Sequence, residues 1–69
     1  MMTVAYFEKL DANNATAEVL SYGRRWGVVV DEGKITVRRN EDSSYDRTPK
    51  WKIKADIANV EKFAKWAMA

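Results

Sequence analysis

Between Trp26 and Arg38 apolar and polar side chains alternate on either side of a Glu32-Gly33 pair, the pattern of a two-stranded hairpin. Gly33 accepts the positive φ that a two-residue type I′ turn demands, whereas Glu32 suits its position poorly. A two-residue loop there pairs Asp31 with Lys34, Val30 with Ile35, Val29 with Thr36 and Val28 with Val37. This register gathers the four aliphatic residues Val28, Val30, Ile35 and Val37 on one face. The other face receives an opposite-charge pair and a Val/Thr pair, and a slip by one residue would mix the two sets.

A second alternation, Pro49-Lys50-Trp51-Lys52-Ile53-Lys54-Ala55, predicts a strand with Trp51, Ile53 and Ala55 on one side and three lysines on the other. Pro49 has no N–H to give a ladder, so it fits a strand start or a sheet edge. The polar run from Asn40 to Thr48 reads as an exposed loop. At Asp56 the period changes. Asp56 is a good N-cap, and Ile57, Val60, Phe63, Ala64, Ala67 and Met68 then share one stripe of a helix of about three turns, with Asn59, Glu61, Lys62 and Lys65 outside it. In the first 25 residues, Thr3 to Lys9 and Ala15 to Tyr22 read as strands around an Asp11-Ala12-Asn13-Asn14 turn. A short helix over Ala15 to Tyr22, closed by Gly23, is the alternative. The expected fold is therefore α+β, a small antiparallel sheet of three to five strands with one C-terminal amphipathic helix packed on one face, in a single domain spanning residues 1–69.

Composition narrows the chemistry. The chain has 69 residues with no cysteine and no histidine. It therefore has no disulfide, no thiolate nucleophile, none of the commonest transition-metal ligands, and no side chain that readily moves a proton near neutral pH. A chain this short buries only about 60% of the surface exposed when unfolded, leaving little room for a catalytic pocket. The adjacent carboxylates Asp31-Glu32 and Glu41-Asp42 fall in a turn and a loop, which offer no desolvated pocket for acid-base catalysis, and they read as solvated turn residues. Asp42 to Asp46 lacks the glycine and closing glutamate of a calcium loop, and no phosphate-binding glycine motif or nucleophile elbow is present. The reading is a non-enzyme without cofactor or metal. No apolar run approaches membrane-spanning length, and Glu8 comes too early for a secretory leader. Absence of cysteine fits the cytoplasm.

The formal charge of +2 is unevenly distributed. Residues 1–33 carry three Lys or Arg against five acids, and residues 34–69 carry nine against five. Arg47, Lys50, Lys52 and Lys54 form a stretch with no acid inside it. The hairpin register and the second alternation together place Lys34, Arg38, Lys50, Lys52 and Lys54 on the same open sheet face, a cationic platform around Thr36 and Val29. Lysines on strands also guard edges against aggregation, which is the plainer account of them. Trp26 and Trp51 fall on apolar faces and read as core. Trp66 lies outside the helical stripe, between Asn59 and Lys62, either wrapping the sheet rim or standing exposed as an anchor.

Two functions fit. The first is a non-catalytic binding module that occupies a surface of a protein or nucleoprotein partner, as an inhibitor or adaptor, through Trp66, Tyr45 and the basic face. The second is a nucleic-acid binder that neutralises phosphates with the basic sheet face. A homodimer is a further option, because a small domain gains buried surface by pairing. In size and in its order of strands and terminal helix the chain is similar to compact phage-encoded inhibitors, anti-CRISPR proteins among them. It also resembles the small SH3-like chromatin proteins of archaea. The likeness is one of outline and assigns no site residue.

Overall fold

The computed structural model describes residues 1–69. Four strands, β1 (Met2–Asp11), β2 (Asn14–Ser21), β3 (Arg24–Asp31) and β4 (Lys34–Arg39), form an antiparallel meander in the order β1-β2-β3-β4. One helix, α1 (Lys50–Met68), covers one face. The expected α+β architecture is present, with four strands and the C-terminal helix against the sheet.

The β3–β4 hairpin has the register read from its side chains: Asp31 opposite Lys34, Val30 opposite Ile35, Val29 opposite Thr36 and Val28 opposite Val37. Its turn holds Glu32 at φ 51° and Gly33 at φ 82°, both left-handed, as a two-residue hairpin matched to strand twist requires. The β2–β3 turn repeats this with Tyr22 at φ 50° and Gly23 at φ 78°. Ala15 to Tyr22 is thus extended up to its turn, not helical. The β1–β2 turn is closed differently. There the Asp11 carboxylate accepts from the backbone N–H of Asn13 at 2.8 Å and from the Asn14 amide at 2.9 Å, which pulls its pKa below the ordinary value.

The C-terminal third departs from the sequence reading. Pro49 to Ala55 is not a strand: α1 begins at Lys50, Pro49 is its N-cap, and the Pro49 carbonyl accepts from Lys52 and Ile53. The physical reason lies in Ile53. It precedes Ile57 by four residues and Val60 by seven, so it extends the helical stripe backward by one turn, and a seven-residue alternation is too short to oppose an amphipathic helix of nineteen residues. Proline at the mouth of a helix forfeits only an N–H that would have no intrahelical partner. At 1.5 Å per residue α1 runs roughly 28 Å, along the long axis of the molecule. Trp51 turns outward and is 67% exposed rather than core, and Asp56 is a buried residue of the helix middle rather than its cap.

Ala15, Ala17 and Val19 of β2, Trp26, Val28 and Val30 of β3, and Val60 and Ala64 of α1 form the buried core. Alanines on the central strand and at position 64 let helix and sheet approach closely, and Ile35, Val37, Ile53 and Ile57 close the β4 side. On the other side, Phe63 meets Phe7 edge-on with ring centroids 6.1 Å apart. Asp56 fixes the helix in register. It accepts from the Ser21 hydroxyl, from Arg24 Nε at 3.0 Å and from the Trp26 indole N–H at 3.0 Å.

Candidate functional site

The five cations expected on one platform are divided between two faces. Lys34 and Arg38 stand with Thr36 and Val29 on the open face of the sheet, while Lys50, Lys52 and Lys54 belong to the helix that covers the opposite face. The platform does not form, because a helix distributes alternating residues around its axis instead of along one side. The open face itself is electrically mixed: Arg25 pairs with Glu18 at 3.3 Å, and Lys34 lies opposite Asp31. Tyr45 stands almost fully exposed in the β4–α1 loop. Trp66 is 75% exposed, which resolves its two alternatives toward solvent.

What the fold does build is a groove along one flank of α1. A β-bulge at Ala5 rephases β1, so that Val4 lies opposite Val19 while Phe7 lies opposite Ala17, and both side chains lean toward the helix. Phe63, Trp66 and Ala67 form the facing wall of a cleft of about 620 Å³ lined only by apolar residues. Through Phe63 and Trp66 this cleft joins a second of about 470 Å³ beneath Met1, Met2 and Tyr22. Through Tyr22 and Asn59 it continues into a third of about 560 Å³ lined by Arg24, Thr48 and Lys52. The groove thus runs from a greasy end at the helix C-terminus to a polar, cationic end at its N-terminus.

Trp66 stands where the apolar clefts meet, its ring centroid 6.3 Å from that of Phe63. Beside it β1 is a sheet edge of ten residues, exposed along most of its length. The other edge, β4, has six residues, three of them cationic, and is followed by a loop tied back onto the sheet through the Asn40 N–H to the Arg25 carbonyl at 3.0 Å. Charge and short length protect β4 as an edge, whereas the longer β1 is interrupted by two bulges and carries its charges, Glu8, Lys9 and Asp11, only in its second half.

The carboxylates of the β4–α1 loop are committed to the loop. Ser44, by hydroxyl and backbone N–H, holds Asp42 below the ordinary carboxylate range. Thr48, by side chain and backbone N–H, and then the Arg39 guanidinium at 2.6 Å depress Asp46 further. A depressed carboxylate contributes stability that is fully present above its unfolded pKa and is lost as pH falls through its folded one. Asp46 is expected to stay ionised well below 3.8 in a carboxyl-carbon NMR titration, and Arg39→Gln to move its midpoint back toward that value. An Asp46 midpoint at the ordinary value in the unaltered chain would show the loop to be open in solution.

No three carboxylates converge on a point that could hold a metal ion. No helix is long and apolar enough to cross a membrane. Val4, Phe7, Tyr22 and Phe63 belong to the groove but were not singled out from the sequence; the signal available was the position of Trp66 on the wheel beside Asn59 and Lys62, which marks this helix flank. Comparison with known proteins finds no matching family model, no similar curated protein and no similar solved structure.

Proposed function

We propose that the chain is a non-catalytic binding module that acts by occupying a surface of a protein partner, as an inhibitor or adaptor of the compact phage-encoded type. The observation that supports it is Trp66, exposed at the junction of an apolar cleft that runs beside the β1 edge. A large aromatic flanked by a contiguous apolar wall is the usual anchor of a protein interface, and a sheet edge offers main-chain hydrogen bonds to the same partner. The reading places the protein in the cytoplasm with its partner. A second copy of the chain is the competing occupant of the same surface.

Trp66 is three-quarters exposed and its ring lies against the half-buried Phe63, so Trp66→Ala is expected to leave the thermal midpoint nearly unchanged. The same change should weaken partner binding about 30-fold, the effect of losing a hot-spot residue worth about 2 kcal/mol. The measurement is affinity capture from nuclease-treated lysate with both forms, followed by titration of the purified partner. Equal recovery by the two forms would remove Trp66 as the anchor. Concentration-dependent dimerisation in sedimentation, lost in the variant, would assign the surface to a second copy instead.

A further inference from the structure

Charge is sorted along the molecule as well as around it. The end that holds the β2–β3 turn, the end of β4 and the start of α1 carries Arg24, Arg25, Arg38, Arg39, Arg47, Lys50, Lys52 and Lys54, eight of the twelve Lys and Arg residues. Arg24 is neutralised by Asp56, Arg25 by Glu18, and Arg39 by Glu41 and Asp46. Arg47, Lys50, Lys52 and Lys54 have no ion pair, because the loop acids are engaged with Ser44, Thr48 and Arg39. Their position also opposes the helix dipole: the first turn of α1 contains lysines and no acid. The helix dipole disfavours cations there, so their accumulation points to another cause.

The aromatic residues of this end are equally ill-suited to stability alone. Trp51 is 67% exposed with the Lys52 ammonium 5.5 Å from its ring centre. Tyr22 is 71% exposed and held at a left-handed φ of 50°, a position where asparagine or glycine costs less. It borders the cleft that Lys52 lines. On the helix, Lys52, Trp51 and Lys54 fan from the Tyr22 flank across the solvent side to the β4 flank, alternating cation, flat ring and cation.

We propose that the end of the molecule formed by Tyr22, Arg47, Lys50, Trp51, Lys52 and Lys54 binds a single-stranded nucleic acid, the cations holding phosphates and the two rings stacking on bases. Uncompensated positive charge selects a polyanion, and exposed rings between the cations select one with unstacked bases over a duplex or an acidic polypeptide. Apart from Tyr22, which also lines the second cleft of the groove, the surface lies at the opposite end of α1 from the apolar cleft, and its cations and Trp51 stand independently of the protein-partner reading. If both hold, one chain touches both components of a nucleoprotein.

The test is titration of the full chain with labelled oligothymidylate, its duplex form and polyglutamate across a salt series. Four phosphate contacts predict a slope of log affinity against log salt of about −3, and Lys52→Gln with Lys54→Gln should reduce it by about 1.4. Trp51→Ala is expected to weaken binding about tenfold without changing the slope. Tyr22→Asn should weaken binding while leaving the chain as stable as before or more so, since asparagine tolerates the turn. Absence of binding at low salt overturns the proposal. So does equal affinity for polyglutamate or duplex, or binding indifferent to both aromatic changes, each of which would leave only non-selective charge.

Discussion

Replacing Asp56 by alanine is expected to destabilise the chain by about 3–5 kcal/mol. Asp56 is 3% exposed and accepts from three groups that belong to β2 and β3, while it is itself carried by α1. Alanine would leave the buried Trp26 indole N–H and Ser21 hydroxyl without their acceptor and the part-buried Arg24 guanidinium without its counter-charge. Breaking a buried pair by removing one partner costs about 3–5 kcal/mol, because the remaining charge stays desolvated. A domain of this length has only about 3–10 kcal/mol in total, so the loss removes at least about a third of its stability and at the low end all of it. Asp56→Asn keeps the shape and one acceptor oxygen and should fall between the two. Urea unfolding followed by circular dichroism separates the cases, and an alanine variant within about 1 kcal/mol of the parent would mean that the network contributes little beyond solvation.

Asp56 also shows why the beginning of the helix was hard to read. An aspartate preceding an apolar stripe is the ordinary mark of a helix start, and nothing local distinguishes a cap from a buried acceptor. The distinction is made by Ser21, Arg24 and Trp26, thirty or more residues away and adjacent only after the sheet has formed. The β3–β4 hairpin, by contrast, was legible down to its register, because turn chemistry and side-chain parity act within a dozen residues. The stripe from Ile57 to Met68 was legible for the same reason. The groove was not, since it depends on a bulge at Ala5 that no residue type announces and on the separation between β1 and a helix that packs nearer β4. Lys50, Lys52 and Lys54 were recognised as a cationic group, but read as strand residues they were placed on the wrong face. Trp51 shared that error.

Trp26→Ala is expected to be as damaging as the loss of Asp56, by a different route. The indole is buried in the core, donates to Asp56 Oδ2 and lies under the Arg39 guanidinium, 5.6 Å from the ring centroid. Arg39 in turn holds Asp46 at 2.6 Å and Glu41 at 3.4 Å, so one side chain joins sheet, helix and the β4–α1 loop. Emptying that volume costs about 3–5 kcal/mol from cavity and lost burial alone. Trp26→Phe retains most of the apolar surface but leaves Asp56 one donor short, for which about 1–3 kcal/mol is expected. The two changes therefore bracket the packing and the hydrogen bond. Trp26 is the buried member of three tryptophans, with Trp51 and Trp66 exposed, so it should supply the blue-shifted part of the fluorescence. Trp26→Phe, kept folded at low temperature, should lose that component while retaining helical circular dichroism. Coupling should appear in a double-mutant cycle of Trp26→Phe with Asp56→Asn: if the two losses simply add, the indole and the carboxylate do not share the bond that seats α1 on the sheet, and the flank of the helix that walls the groove must be held by the Phe7–Phe63 contact instead.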